Sequence, residues 1–294
     1  MKKIVVTGGA GFIGSRLVKR LVEEGNHVTV IDNFSTGSID NITGHFIELK
    51  CNIIKANVLD KLPEIEHDVL YHLAAPVSVA ESLQNPEKYH AEIGDGTSNV
   101  VYWSIANGAT SIIIASTAAV YGDTQDLPLG EERKLAPMSA YAEAKLESES
   151  ILEDLVTDFR VNGTALRFFN VFGEGQRDEG GYLSVIPIFR KLWEQNKPLT
   201  IRGDGNQTRD FVWVEDVVDA MIKAHLFGNG FNVYNVGSGE ETTVNQIAEA
   251  FGGEVQYIPS IPEPRRSLSC INKIKNNLNW NPSISVENWI ETIR

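Results

Sequence analysis

The sequence predicts an α/β protein: a doubly wound parallel sheet followed by a smaller α/β C-terminal domain. Three observations lead there. A short β-branched run, Lys3 to Val6, opens into a glycine-rich turn and then a helix-period pattern. A second apolar run, Val28 to Ile31, ends on an acid, Asp32. Beyond it, apolar strand-like runs and helix-period segments keep alternating. Strands separated by helices imply parallel pairing, with ligands at the C-terminal ends of the strands.

Taken in order, the first strand runs into Thr7-Gly8-Gly9-Ala10-Gly11-Phe12-Ile13-Gly14. Leu17, Val18, Leu21 and Val22 then share one helix face, and Gly25 stops that helix. Such glycines let the backbone approach a pyrophosphate at a helix N-terminus, where unpaired N–H groups and the helix dipole favour an anion. The spacing reads as GxGxxG from Gly9 and as GxxGxxG from Gly8. It places Gly8, Gly11 and Gly14 in a Rossmann-type dinucleotide cradle, and a tight turn with no ligand is the weaker reading. Asp32 would hydrogen-bond the adenosine ribose and repel a 2′-phosphate. Asn33, not an arginine, follows it, so NAD is favoured over NADP. Further along, Ile53-Ile54 leads to Asn57-Val58, and Asp68 to Leu73 makes a strand ending at Ala74-Ala75. Ser98 to Ala106 is helical in period, and Ser111 to Ala115 is an apolar strand ending at Ser116-Thr117. Gly14, Asp32, Asn57, Ala74 and Thr117 are therefore expected along one edge of the sheet.

The composition narrows the class. A chain of 294 residues with 42% hydrophobic content can bury one large core or two interlocked ones. A net charge of −13 argues against a general nucleic-acid binder. Two widely spaced cysteines, Cys51 and Cys270, are neither a disulfide framework nor a zinc pattern, so no metal is expected and a reducing cytoplasm fits. Neither a signal-peptide core nor a membrane-spanning apolar run is read from the sequence.

The chemistry centres on Tyr141 and Lys145, four apart on a predicted helix and so on one face. A free tyrosine titrates near pH ~10, so a tyrosine acting as a base at neutral pH needs roughly 4 kcal/mol of stabilisation. A neighbouring ammonium and a cationic nicotinamide ring can supply it. Alone, the spacing also fits a solvated helix face. Thr117, at the end of the preceding strand, completes a trio.

With that trio in place, the chain resembles the extended short-chain dehydrogenase/reductases, and among them the NAD-dependent sugar-nucleotide epimerases and dehydratases of the UDP-glucose 4-epimerase type. The resemblance covers nearly the whole chain. It rests on TGGAGFIG (7–14), DNFSTG (32–37), HLAA (72–75), STAAVYG (116–122), YAEAK (141–145), LRFFNVFG (166–173), GDGNQTRDFVWVEDV (203–217) and YNVGSG (234–239). It implies an isomerase that binds NAD and a UDP-sugar and works in galactose metabolism. Thr117 would hydrogen-bond the sugar 4-hydroxyl, Tyr141 would act as base and then acid, and Lys145 would hold the nicotinamide ribose and depress the tyrosine pKa. Cofactor contacts are implied for Phe12, Ile13, Ser35, Thr36, Gly37, Asn57, Val58, Leu73, Ala74, Ala75 and Phe168, with Phe169 near the nicotinamide. On the substrate side it implies Asn170 and Arg209 at the diphosphate, Arg266 (ahead of Arg265) as a second cation, and Val185-Ile186-Pro187 at the uridine, before a helix over Ile188–Trp193. Ser78 would touch cofactor or sugar, or else cap a helix. Arg209 would alternatively pair with Asp210. His72 reads as a structural hydrogen-bonder.

Relatives that dehydrate or decarboxylate usually carry acids just after the Thr117 position, where this chain has Ala118 and Ala119. That favours 4-epimerisation of UDP-glucose and UDP-galactose through a transient 4-keto sugar. Alternatives are another epimerase, dehydratase or oxidoreductase acting on UDP-glucuronate or a UDP-N-acetylhexosamine, or a non-catalytic NAD-binding regulator. The chain departs from the family at Ile93, usually Asn, at Asn57, often Asp, at Val77, a lysine in some epimerases, and in a short segment, Pro262 to Ser267, around the double arginine. Residues 1–165 are expected to form the NAD-binding domain, with 211–237 returning to it, and 166–294 the substrate domain. A homodimer is expected to pair Ser98–Ala106 with the helix running from Tyr141 to Phe159.

Overall fold

The structure, a computed structural model, describes residues 1–42, 51–178, 184–260 and 264–294. Its strands are β1 (Lys3–Thr7), β2 (His27–Asp32), β3 (Cys51–Lys55), β4 (Val69–His72), β5 (Ser111–Thr117), β6 (Asn162–Phe168), β7 (Asn170–Phe172), β8 (Leu199–Arg202), β9 (Thr208–Arg209), β10 (Phe211–Trp213), β11 (Phe231–Val236), β12 (Thr242–Thr243) and β13 (Val255–Ile258). Seven of them form one sheet in the order β11-β6-β5-β4-β1-β2-β3. Every pairing in it is parallel. The order reverses beside β1, so the connections leaving the paired strands β1 and β4 run in opposite directions and open a crevice at their C-terminal ends, where such sheets bind ligands.

The central strands are buried on both faces, which explains their unbroken apolar runs rather than alternation. One face packs on the helices Phe12–Glu23, Val214–Phe227 and Asn272–Leu278. The other packs on Gly96–Ala106 and Ala140–Phe159. Residues from late in the chain thus complete the first sheet: β11 is its edge strand, and Trp280 is fully buried against it, donating from Nε1 to the Asp216 carbonyl at 2.9 Å. A second core joins Phe172, Phe189, Phe211, Ile247, Phe251 and Trp289.

Two element boundaries differ from the sequence reading. The helix before the double arginine spans Val185–Glu194 and takes in Val185, Ile186 and Pro187, rather than beginning at Ile188. Pro187 sits in the first turn, where a missing N–H leaves no intrahelical bond unmade. The helix expected from Ser98 begins at Gly96 and continues a π-helical turn, His90–Asp95, that itself follows the turn Pro86–Tyr89. The polar composition of 85–95 hides that start. Ile93, the departure from the family pattern, is buried there against Tyr89, Ala140 and Ala144. Pro262 and Glu263 of the short segment lie outside the described residues.

Candidate active site

The glycine turn is built for close approach. Gly8 has φ +70°, and a Cβ there would fall 2.6 Å from the Ala74 nitrogen; a Cβ at Gly14 would fall 2.2 Å from the Gly8 carbonyl oxygen. Gly11 precedes the helix Phe12–Glu23 with extended backbone and no side-chain cap, so the first-turn N–H groups, Phe12, Ile13 and Gly14 among them, face the crevice side of β1 without a side-chain acceptor. Asp32 ends β2 buried, its Oδ2 accepting from the Ala10 N–H at 2.9 Å and its Oδ1 from the Phe34 N–H at 2.8 Å. A carboxylate has about four acceptor positions, so two remain for ribose hydroxyls. The loop beyond is stitched to the same turn: Ser38 N donates to the Ala10 carbonyl at 3.2 Å, and Gly37 packs where a Cβ would strike Ala10. Asn33 accepts from Ser35 N at 2.9 Å, and Ser35 and Thr36 are exposed. Leu73, Ala74 and Ala75 line the end of β4, half-buried. At β3, Asn57 Oδ1 accepts from Leu59 N at 3.0 Å, and Val58 packs beneath Gly96. These residues fit a dinucleotide: an anion site at a helix terminus, an acid at the adjoining strand end, and glycines where side chains would block approach.

One strand over, β5 delivers Thr117 and the helix Ala140–Phe159 delivers Tyr141 and Lys145. Ser139 caps that helix, its Oγ accepting from Ala142 N at 3.2 Å, which sets the phase of the helix against β5. The Tyr141 hydroxyl is pushed up to about 12 by burial, and a hydrogen bond from the Thr117 side chain pulls it partly back. Thr117 Oγ1 also accepts from Ala119 N at 3.2 Å, which anchors it at the head of a 3-10 turn, Ala118–Tyr121. Tyr89 meets the Tyr141 ring edge-on at 6.4 Å. Lys145 is 6% exposed, and its Nζ donates to the Ala115 carbonyl at 2.8 Å rather than to Tyr141. Burial lowers its pKa to about 8, and the Glu149 carboxylate opposes that fall. The tyrosine is thus a neutral phenol in this structure, and the expected depression of its pKa requires the cofactor's positive charge as well as the lysine. His72 is neutral, lowered to about 3 by burial and then by Lys145, and bridges Thr7 at 2.7 Å and Thr97 at 3.2 Å.

On the substrate side, Asn170 opens β7, its Nδ2 donating to the Asp210 carbonyl at 3.2 Å. Phe168 and Phe169 are buried at the end of β6. Arg209 lies half-buried on β9, opposite Thr242 on β12. Asp210 points inward: its carboxylate accepts from the backbone and hydroxyl of Ser238, from Gly239 N, and from the backbone and hydroxyl of Ser269. Arg266 forms a two-pronged ion pair with Glu241, which also accepts from the Thr208 hydroxyl. Arg265 pairs with Asp204 at 2.7 Å. Ser78 caps the helix Val79–Gln84, accepting from Glu81 N at 3.1 Å, which is the capping geometry rather than a free hydroxyl.

Sequence reasoning missed a buried polar row one residue below this edge. Ser116, Arg167 and Asn235 stand side by side on β5, β6 and β11. Glu149 reaches down from the tyrosine helix to Ser116 and takes both prongs of Arg167, at 2.9 and 2.7 Å. Arg167 also donates to the Tyr121 hydroxyl at 3.0 Å, which in turn donates to Asn235 Oδ1 at 2.7 Å. The available signals were the position of Glu149, four after Lys145, and the polar residues Arg167 and Asn235 inside apolar strands.

The sequence pattern of the NAD dependent epimerase/dehydratase family matches residues 4–237. The UDP-glucuronic acid decarboxylase 1 of Xenopus tropicalis is 33% identical over 298 residues, covering 97% of this chain and 70% of that protein. The UDP-glucose 4-epimerase of Mycolicibacterium smegmatis is 31% identical over 298 residues, covering 97% and 95%. Among solved structures, the UDP-N-acetylglucosamine 4-epimerase of Methanobrevibacter ruminantium M1, in complex with UDP-N-acetylmuramic acid, superposes with a TM-score of 0.91 at 30% identity, covering 100% of this chain and 99% of that one.

Proposed function

The chain belongs to the NAD-dependent epimerase/dehydratase family, and from that premise we propose that it interconverts UDP-glucose and UDP-galactose by oxidation and re-reduction at C4. It is an isomerase that uses NAD. The observation that carries the 4-epimerase reading is the convergence of Thr117, at the end of β5, with Tyr141 and a buried Lys145 on the facing helix, with Ala118 and Ala119 where eliminating or decarboxylating relatives usually carry an acid. In the forward step the Tyr141 oxygen takes the 4-hydroxyl proton while Thr117 Oγ1 holds that hydroxyl in line. When bound, NAD supplies the acceptor for the C4 hydride and returns it. Tyr141 then gives its proton back to the 4-keto oxygen, so acid and base regenerate each other. Lys145, an ammonium below pH about 8, stabilises the Tyr141 phenolate that takes the proton in the first transfer and is re-formed by the second. Asn170 and Arg209 hold the diphosphate, for which a planar guanidinium fork is suited.

The test is proton NMR of UDP-galactose incubated with the purified protein and no added NAD. Appearance of UDP-glucose supports the reading. Turnover of UDP-N-acetylglucosamine or UDP-glucuronate instead would move the proposal to that substrate.

The proposal extends to a homodimer. Tyr102, 58% exposed, and Phe159, 48% exposed, meet edge-on at 6.0 Å across the outward faces of the two helices expected to pair. A solution mass of one chain at micromolar concentration would refute it. No helix among the described residues is long and apolar enough to cross a membrane. The unpaired thiols of Cys51 and Cys270 support a cytoplasmic setting.

A further inference from the structure

Successive turns of the helix Ala140–Phe159 present Tyr141, Lys145 and Glu149 to the end of β5. Two of them bond there, Lys145 to the Ala115 carbonyl and Glu149 to the Ser116 hydroxyl, while Tyr141 lies beside the Thr117 side chain. The ammonium and the carboxylate therefore engage consecutive residues of one strand. We propose that Glu149, fixed by Arg167, is the counter-charge that keeps Lys145 protonated and in place, and is thereby a positioning residue for Tyr141. This rests on the reading of Tyr141 and Lys145 above.

Three observations converge on it. The Glu149 and Arg167 side chains are 5% and 4% exposed, so neither charge is screened by water. Both Glu149 oxygens are committed to Arg167, and one also to Ser116, so the carboxylate cannot swing away. Arg167 is itself locked, stacked over the Tyr121 ring at 5.0 Å and donating to the Tyr121 hydroxyl and the Glu131 carbonyl. Tyr121 sits in the 3-10 turn headed by Thr117, so one buried network ties together the strand, the turn and the helix that carry the trio. The groups facing Lys145 from its surroundings are few. They are Tyr141 and Glu149 on its own helix, His72 on β4, and, beyond Glu149, Arg167 on β6 with Tyr121 and Glu131; Tyr89 faces Tyr141. His72 is neutral, and although both Glu149 oxygens are bonded to Arg167 rather than to Lys145, the Glu149 carboxylate is the charge that favours the lysine's proton. The effect of burial on Lys145, opposed by Glu149, agrees in sign.

The proposal makes a prediction opposite to that of a simple through-space effect. Removing an anion near a phenol by itself lowers the tyrosine pKa. If Glu149 acts through Lys145, Glu149→Gln instead lets Lys145 lose its proton, and Tyr141 becomes harder to ionise. The readout is the near-ultraviolet phenolate absorbance of the NAD-bound protein against pH, each variant referenced to the same variant carrying Tyr141→Phe. No sugar nucleotide is needed, so the result stands whether or not UDP-galactose is turned over. The expected result is a Tyr141 midpoint raised by about one pH unit, a tenfold change, in Glu149→Gln. The rise should be absent when Glu149→Gln is made in a Lys145→Met background, and Glu149→Asp, which keeps the charge, should show a smaller rise than Glu149→Gln. Glu149→Gln leaves Arg167 buried without its partner, so the paired Glu149→Gln, Arg167→Gln protein is made alongside and should show the same rise. A midpoint that falls or stays put in the folded variants, or an equal rise in the Lys145→Met background, overturns the proposal.

Discussion

Lys145→Met should make the cofactor-free protein relatively more stable at neutral pH and abolish a specific rise in stability at alkaline pH. The lysine titrates at 10.5 when exposed and at about 8 in the fold, with burial as the leading cause. Between those values the unfolded chain holds a proton that the folded protein has released, so wild-type stability climbs with pH across that window. Below about pH 8 both states are protonated and the folded protein carries the whole penalty. At about 1.4 kcal/mol per pH unit, that penalty is about 3 kcal/mol. Methionine fills a similar volume with an unbranched chain and does not titrate. The hydrogen bond to the Ala115 carbonyl is lost in the variant, but that loss only offsets the two curves; it does not change their relative slope between pH 8 and 10.5. Urea unfolding of both proteins from pH 7 to 11 measures the difference directly. The wild type should gain about 3 kcal/mol on the variant over that range. Two curves separated by a constant amount would mean that Lys145 is not held at a depressed pKa, and the account of its ammonium as a labile, Glu149-dependent charge would fail.

Gly14→Ala should empty the dinucleotide cradle. Its Cβ would lie 2.2 Å from the Gly8 carbonyl, backbone against backbone, so no rotamer relieves it. NAD released from the denatured protein should drop to background and the melting temperature should fall; full NAD content would refute the assignment. Asp210→Asn should destabilise the protein by about 2–4 kcal/mol in urea unfolding, because an amide nitrogen would face N–H and hydroxyl donors now served by a carboxylate oxygen. A change within about 0.5 kcal/mol, as for an ordinary surface position, would show that those hydrogen bonds are not held in solution.

What was legible in the sequence was what is local. The glycine turn, the acid at the end of β2 and the Tyr141–Lys145 spacing are short-range patterns, and each marks a backbone demand or a shared helix face. Phe12–Glu23 and Ala140–Phe159 therefore sit where periodicity places them. The polar row Ser116–Arg167–Asn235 was not legible, because it exists only once β5, β6 and β11 lie in register. Those strands come from three distant parts of the chain, and each contributes one polar residue to an otherwise apolar run. Asp210 shows the same limit from the other side. Its neighbour in sequence is Arg209, yet its hydrogen bonds go to Ser238, Gly239 and Ser269, which the chain brings back from later turns. The start of the helix at Val185 was hidden because Pro187 reads as a breaker, although a first-turn proline has no intrahelical bond to lose.

The placement of charge explains why these long-range contacts matter for chemistry. On the proposed mechanism Tyr141 must act as a base, yet desolvation pushes its hydroxyl up to about 12 and makes it a poor one. A buried lysine can correct it only while the lysine stays charged, and burial acts against that charge too. Each step inward therefore needs a further partner: Thr117 and Lys145 for Tyr141, Glu149 for Lys145, Arg167 for Glu149, Tyr121 for Arg167, and Asn235 for Tyr121. The chain of partners ends only where backbone carbonyls and neutral amides can absorb the last donor, at Leu129 and Cys270 beneath Asn235. Burying such a series is costly unless every member is paired, and breaking a buried ion pair by removing one partner costs about 3–5 kcal/mol. On the proposed mechanism, the network is the structural consequence of placing a phenolate base in this site, and its outermost residues should tolerate substitution better than Glu149 or Arg167.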